Sequence, residues 1–125
     1  MAIVGTHALI YTPEPDALRA VLRDVFGFRH VDAGQGWLIF ALPPSELGIH
    51  PAEVAGPEAT QHKLSFICDD IHATVKDLRA KGIAIDGEPQ DHGYGIVVIA
   101  TLPGGVKVQV YEPRHPLAID VPGRG

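Results

Sequence analysis

The chain has 125 residues, of which 46% are hydrophobic and 20% are charged, and its formal net charge at pH 7 is -5. This length fits one compact domain, and the composition excludes an intrinsically disordered chain. The acidic balance, without a run of Lys or Arg, argues against nucleic-acid and anionic-membrane partners, and no segment has the roughly 18 apolar residues of a membrane span. We therefore expect a cytoplasmic protein with a small-molecule substrate or ligand.

The single cysteine, Cys68, excludes an internal disulfide and a thiolate metal cluster within one chain. It lies in an apolar run, where packing is the usual role of a lone cysteine. The sequence has no Gly-rich phosphate cradle, nucleophile elbow or zinc-finger spacing, so we expect no nucleotide cofactor.

The first half begins with "THALIY", an apolar run that predicts a strand headed by His7. After the breaker "TPEP", a helix is predicted because five apolar residues recur at helical spacing: Leu18, Val21, Leu22, Val25 and Phe26. Gly27 is placed to end this helix in the left-handed conformation. The segments "FRHVD", "GWLIFAL" and "ELGIH" then predict three strands, the last two joined by a turn at "PPS".

The second half repeats this order. His62 heads the strand-like run "HKLSFI", and Asp69 and Asp70 are good N-caps for the helix that follows. The apolar stripe of that helix is Ile71, Val75 and Leu78, and Gly82 ends it. Three strands are predicted after it, from "AIDGE", "GIVVIATL" and "VKVQVYE", with a hairpin turn at "PGG".

The two halves are therefore an internal repeat, since the interval from His7 to His62 equals that from Gly27 to Gly82. Each half has the order βαβββ, which predicts an α+β fold. The predicted organisation is a single domain, 1–125, made of module one (1–52), a linker (53–61), module two (62–113) and a tail (114–125). The tail has no strand partner in the repeat, so it either packs against a neighbouring subunit or frays.

Alternation along the closing strands predicts a cavity. In "VKVQVYE" the three valines share one face, which must pack against helices, so the residues between them line the opposite side: Lys107, Gln109 and Tyr111. In "ELGIHP" the same alternation turns three residues towards this cavity: Glu46, Gly48 and His50.

Two βαβββ modules, each opening with His and the second closing in "VKVQVYEP", resemble the vicinal oxygen chelate superfamily, which includes glyoxalase I, extradiol dioxygenases and the fosfomycin and bleomycin resistance proteins. The resemblance covers almost the whole chain. It implies that the two modules pair into a cupped mixed sheet with helices outside, and that a metal, when present, sits in the cup.

The resemblance also implies that metal ligands come from the first and last strands of each module. By position the ligands are His7, His62 and Gln109, with Gly48 at the fourth position, where related enzymes carry glutamate. A site of His and Gln ligands suits several divalent ions, so Fe, Mn, Ni and Zn stay open. Glyoxalase I itself is disfavoured, because its paired glutamates are absent.

Six further residues complete the predicted site. The candidates for acid–base chemistry are Tyr111, His50 and Glu46, and those for substrate contact are Trp37, Phe66 and Lys107. The segment "PQDHGYG", with His92 and Tyr94, is either a lid over the cup or an ordinary loop. The remaining histidines are expected to be solvated: His30, His72 and His115.

Three functions follow from the resemblance. The first is a metal-dependent dioxygenase, lyase or isomerase acting on a small oxygenated substrate. The second is a metal-free binder similar to the bleomycin resistance proteins, which sequester a bulky cationic drug. The third is a partner or sensor subunit. The sequence ranks the enzyme first, and exposed sheet edges predict a homodimer under all three.

Overall fold

The computed structural model describes residues 7–49, 51 and 62–120. In chain order the described elements are α1 (Pro15–Asp24), β1 (His30–Asp32), β2 (Leu38–Phe40), β3 (Ser65–Ile67), α2 (Ile71–Ala80), β4 (Ala84–Asp91), β5 (Gly95–Leu102), β6 (Val106–Pro113) and a short 3-10 helix (Ala118–Asp120). No helix in this part of the chain is long and apolar enough to cross a membrane.

The strands form two sheets. β1 and β2 pair as an antiparallel ribbon, and the other four strands form a mixed sheet in the order β3-β6-β5-β4. β3 runs parallel to β6, whereas β5 is antiparallel to both of its neighbours. The second half therefore has the predicted βαβββ order, and the α+β fold with helices outside the sheet is confirmed.

Local signals explain both helices. Pro15 stands at the start of α1, where its missing N–H costs nothing, and Gly27 after its end has a φ of 70°. At the start of α2, the Asp70 carboxylate accepts a hydrogen bond from the Ala73 N–H at 3.1 Å. Gly82, with a φ of 85°, follows its last turn. The predicted helix boundaries are confirmed at these positions.

Both helices pack on one face of the four-stranded sheet. Val108 and Val110 of β6 are buried there beside Ile71 and Val75 of α2 and Leu18 of α1. Side chains of directly paired residues lie on the same side of a sheet, so the residues between them face away. We call that opposite side the far face; along its centre it carries Val97, Ile99, Thr101, Lys107, Gln109 and Tyr111.

The described part of the first half has fewer strands than the repeat predicts. Residues 7–12 and 46–49 have no regular secondary structure, and within the described chain they have no ladder partner. Apolar side chains in these segments consequently stay open to solvent, with exposures of 89% at Tyr11, 87% at Leu47 and 88% at Ile49. A strand needs a hydrogen-bonded neighbour as well as an alternating sequence, and the described residues supply none here.

A hairpin turn joins the two halves. The turn between β5 and β6 contains Gly104, whose N–H donates to the Glu14 carboxylate at 2.7 Å. The Thr12 hydroxyl donates to the carbonyl of Pro103 in the same turn at 3.3 Å. A β-carbon on Gly104 would lie 1.8 Å from the Thr12 hydroxyl oxygen, so glycine is required at this contact. The segment before α1 is thereby held to module two.

Candidate functional site

The centre of the far face is built by β6 and its two neighbours. Gln109 lies level with Ser65 of β3 and with Ile99 of β5. Tyr111, two residues further along β6, is only 8% exposed. The predicted orientation of Gln109 and Tyr111, away from the helices, matches this register.

Tyr94 brings a second aromatic ring to this face. Its hydroxyl donates to Oε1 of Gln109 at 2.9 Å, and its ring meets that of Tyr111 edge-on at 5.7 Å between centroids. The His92 ring lies 6.0 Å from Tyr94 in a further perpendicular contact. Tyr94 is 43% exposed, so much of its surface is available to a ligand. The segment between β4 and β5 thus contributes a side chain to the far face.

Tyr111 is also tied to the tail. Nε2 of His115 lies 3.0 Å from the Tyr111 hydroxyl oxygen, while Nδ1 of the same ring lies 2.8 Å from the carbonyl oxygen of Pro116. Burial, with the nearby Glu46 carboxylate and Tyr94, raises the pKa of Tyr111. The phenol therefore keeps its proton at neutral pH.

Glu46, in the first half of the chain, binds the tail. One oxygen accepts the Ala118 N–H at 2.7 Å, and the other lies 4.0 Å from Nε2 of His115. Arg114 adds to this attachment through an ion pair with Asp91 and a backbone hydrogen bond to the carbonyl of Tyr94. Residues 114–120 consequently fold back over their own chain, which neither alternative from the sequence anticipated.

The three predicted acid–base residues have different outcomes. Tyr111 and Glu46 both lie around His115, whereas His50 falls outside the described residues. His115 was expected to be solvated, and this was wrong: its side chain is 31% exposed and bonded through both ring nitrogens. Tyr94 and His115 were missed as site residues. The Gly-rich segment around Tyr94 was the only signal for either.

The metal ligands expected from the sequence are His7, His62 and Gln109. Across residues 7–49, 51 and 62–120, no three His, Cys, Asp or Glu side chains lie close enough together to hold an ion. His7 and His62 are both exposed, and Oε1 of Gln109 is engaged by the Tyr94 hydroxyl.

The three predicted substrate contacts lie in three different places. Trp37, the residue before β2, is 58% exposed, with the Arg19 guanidinium 4.9 Å from its ring centre. Phe66 lies on the helix side of β3, in edge contact with Phe26 at 5.2 Å. Lys107 projects from the far face and pairs with Asp86 at 3.4 Å. Of the three, Lys107 alone shares a surface with Gln109 and Tyr111.

A shallow depression of about 310 Å³ lies where β3, β6 and the tail meet. Its lining is Ile67, Cys68, Asp69, Glu112, Pro113 and Leu117. The Glu112 carboxylate is already used there, because it accepts the Ile71 N–H at 3.1 Å. Burial raises the pKa of the Cys68 thiol, which packs against the core as predicted. A second depression, of about 280 Å³, lies between α2 and β4.

The sequence and the fold match a known family. The family model of the Glyoxalase/Bleomycin resistance protein/Dioxygenase superfamily matches residues 6–110. The chain therefore belongs to this superfamily, which confirms the resemblance found in the sequence. A search of curated proteins finds no match.

Solved structures with this fold serve different functions. TnmS3, an antibiotic binding protein from Streptomyces sp. CB03234, is 21% identical, with a TM-score of 0.59 over 90% of this chain and 98% of that one. A lactoylglutathione lyase from Agrobacterium tumefaciens is also 21% identical, with a TM-score of 0.61 over 90% of this chain and 95% of that one. A superfamily member from Sphaerobacter thermophilus DSM 20745 is 18% identical, with a TM-score of 0.59 over 88% and 98% of the two chains. At these identities the likeness concerns the fold.

Proposed function

We propose that this protein is a metal-independent binder of aromatic, cationic small molecules, with bleomycin-like antibiotics as the ligand class. The observation that carries the proposal is the Tyr94 side chain, which is 43% exposed and whose hydroxyl is bound to Gln109 on the far face. An exposed ring held in one orientation offers stacking and cation–π contact at low entropic cost.

Charge supports a cationic ligand. The formal net charge of -5 attracts cations in general, and two basic groups beside this surface are each paired with an acid, Lys107 with Asp86 and Arg114 with Asp91. Neighbouring carboxylates offset those positive charges, so they oppose a cation less than free amines would. The neutral Gln109, in place of a glutamate, leaves an amide that can hydrogen-bond a ligand.

The test is calorimetric titration of metal-free bleomycin into untagged protein in the presence of a chelator. We expect saturable binding that weakens about tenfold in Tyr94→Ala, the scale of a lost cation–π or stacking contact. Tyr11→Ala is the matched control, since Tyr11 is 89% exposed and has no ring contact with Tyr94 or Tyr111. Absence of binding by bleomycin and by a panel of other aromatic cations would contradict the proposal.

A metal-dependent dioxygenase, lyase or isomerase is the second candidate. The parallel pairing of β3 with β6 favours it, because the strand that follows His62 runs beside the strand that carries Gln109. His7, His62 and Gln109 would be the ligands, of Fe, Mn, Ni or Zn. Metal analysis by mass spectrometry, with a His7→Ala, His62→Ala double variant alongside, separates the two candidates. Near-stoichiometric metal that the variant loses would favour the enzyme.

A further inference from the structure

The carbonyl of Pro116 determines which groups donate and which accept in the hydrogen bonds of His115 and Tyr111. The carbonyl oxygen of Pro116 lies 2.8 Å from Nδ1 of His115. Since a carbonyl oxygen only accepts hydrogen bonds, Nδ1 carries the proton of the neutral ring. Nε2 of His115 is then an acceptor, as in any neutral imidazole protonated at Nδ1.

The Tyr111 hydroxyl must therefore donate to Nε2, which lies 3.0 Å away. A phenol has one proton to donate, so the Tyr111 oxygen can offer other groups only its lone pairs. The Tyr94 hydroxyl is likewise used as a donor, because it donates its proton to Oε1 of Gln109 at 2.9 Å. The hydroxyl oxygens of these two neighbouring tyrosines thus keep only lone pairs to offer to other groups.

We propose that His115 is a positioning residue that fixes the Tyr111 hydroxyl as a hydrogen-bond acceptor and so makes the far-face site selective for ligands bearing an N–H or ammonium donor. The inference rests on the proposed function, because it assumes that ligand binds at this face. With Tyr111 only 8% exposed, such a contact is shielded from water, and a ligand that cannot donate leaves a buried acceptor unpaired.

Protonation reverses this arrangement. The groups around His115 are Tyr111 on β6 and Glu46 from the segment after β2, with Arg114 beside it held by Asp91. A second proton on the ring turns Nε2 into a donor, and its 4.0 Å approach to Glu46 becomes an ion pair. The Tyr111 proton is then released for a ligand acceptor.

The test compares two ligands of similar shape and opposite polarity, benzylammonium and benzoate, by protein-observed NMR titration at about pH 8, where an imidazole is ordinarily neutral. We expect the wild type to prefer benzylammonium. His115→Phe should move the ratio of the two Kd values about tenfold towards benzoate, because the Tyr111 proton is free to bind a carboxylate. Both proteins keep the same acidic side chains, so the general attraction of an acidic chain for cations cancels when their ratios are compared.

Two further variants test whether the effect comes from the hydrogen bond between His115 and Tyr111. His72→Phe is the matched control, since His72 is an exposed histidine in the first turn of α2, and it should leave the ratio unchanged. In a Tyr111→Phe background, His115→Phe should no longer move the ratio. Equal weakening of both ligands by His115→Phe would mean a merely structural role and would overturn the inference while leaving the proposed function intact.

A second measurement needs neither ligand nor variant. Long-range proton–nitrogen NMR spectra distinguish the two neutral histidine tautomers, and we expect His115 to carry its proton on Nδ1. A proton on Nε2 would overturn the inference without affecting the proposed function. Failure of benzylammonium, bleomycin and other aromatic cations to bind the wild type would instead contradict the proposed function, and the inference with it.

Discussion

A β-carbon on Gly95 would lie 2.8 Å from Cδ2 of Tyr111 and 2.7 Å from the carbonyl oxygen of Glu112. The start of β5 and the Tyr111 ring are therefore in contact only because residue 95 has no side chain. The close contact of Gly95 with Tyr111 affects the whole group of rings on this face, since the Tyr111 ring also contacts Tyr94 and His115.

Gly95→Ala is expected to lower the free energy of unfolding by about 1–3 kcal/mol, the usual cost of forcing a methyl group into a packed site. Urea denaturation measures it. Gly48→Ala is the matched control, because a β-carbon there meets nothing within 4 Å. If the two variants unfold at the same urea concentration, the close packing of Gly95 against Tyr111 is not present in solution.

Tyr111 should ionise at a higher pH than an ordinary tyrosine side chain. Its pKa is raised by burial and by the Glu46 carboxylate, so the folded state favours the neutral phenol. That contribution to stability is fully present below the ordinary tyrosine pKa of about 10 and is lost as the pH passes through the raised value. Phenolate absorbance should show a late step that disappears in Tyr111→Phe and in denatured wild type.

Glu46→Ala should release the tail. The carboxylate accepts the Ala118 N–H at 2.7 Å, so its removal leaves that amide free to exchange with solvent. Hydrogen exchange at the Ala118 amide should accelerate in Glu46→Ala and stay slower in Glu46→Gln, which keeps an acceptor oxygen. Ser45→Ala is the control. Unchanged exchange in Glu46→Ala would place the tail's attachment elsewhere.

We expect a homodimer formed through the first half of the chain. Leu47 and Ile49 are 87% and 88% exposed, and the β1–β2 ribbon is too short to be stable alone, so these surfaces gain most from a partner. Sedimentation analysis should show a dimer that dissociates in a Leu47→Lys, Ile49→Lys variant. Ala80→Lys, at the exposed end of α2, should leave the dimer intact. A monomeric wild type at micromolar concentration contradicts this.

Much of module two could be predicted from the sequence because its signals are local. Asp70 caps α2 by accepting the N–H of Ala73, three residues further on, and Gly82 adopts the positive φ that follows the end of the helix. Alternate residues of a strand point to opposite faces of the sheet, so Val108 and Val110 lie on one face of β6 and Gln109 on the other, whichever strands pair with β6. The first half was less predictable, since "THALIY" and "ELGIH" have strand-like sequences but need a partner strand to form a ladder.

The sequence by itself determined the two helices, the βαβββ order of the second half and the face to which Gln109 and Tyr111 belong, because each follows from spacing within a few residues. The tertiary structure alone decided that Tyr94 reaches Gln109 and that His115 lies between Tyr111 and Glu46. Whether two residues far apart in the sequence can form a hydrogen bond depends on the path of the chain between them. The path that brings Glu46 to Ala118, 72 positions away, is set by the packing of the whole fold.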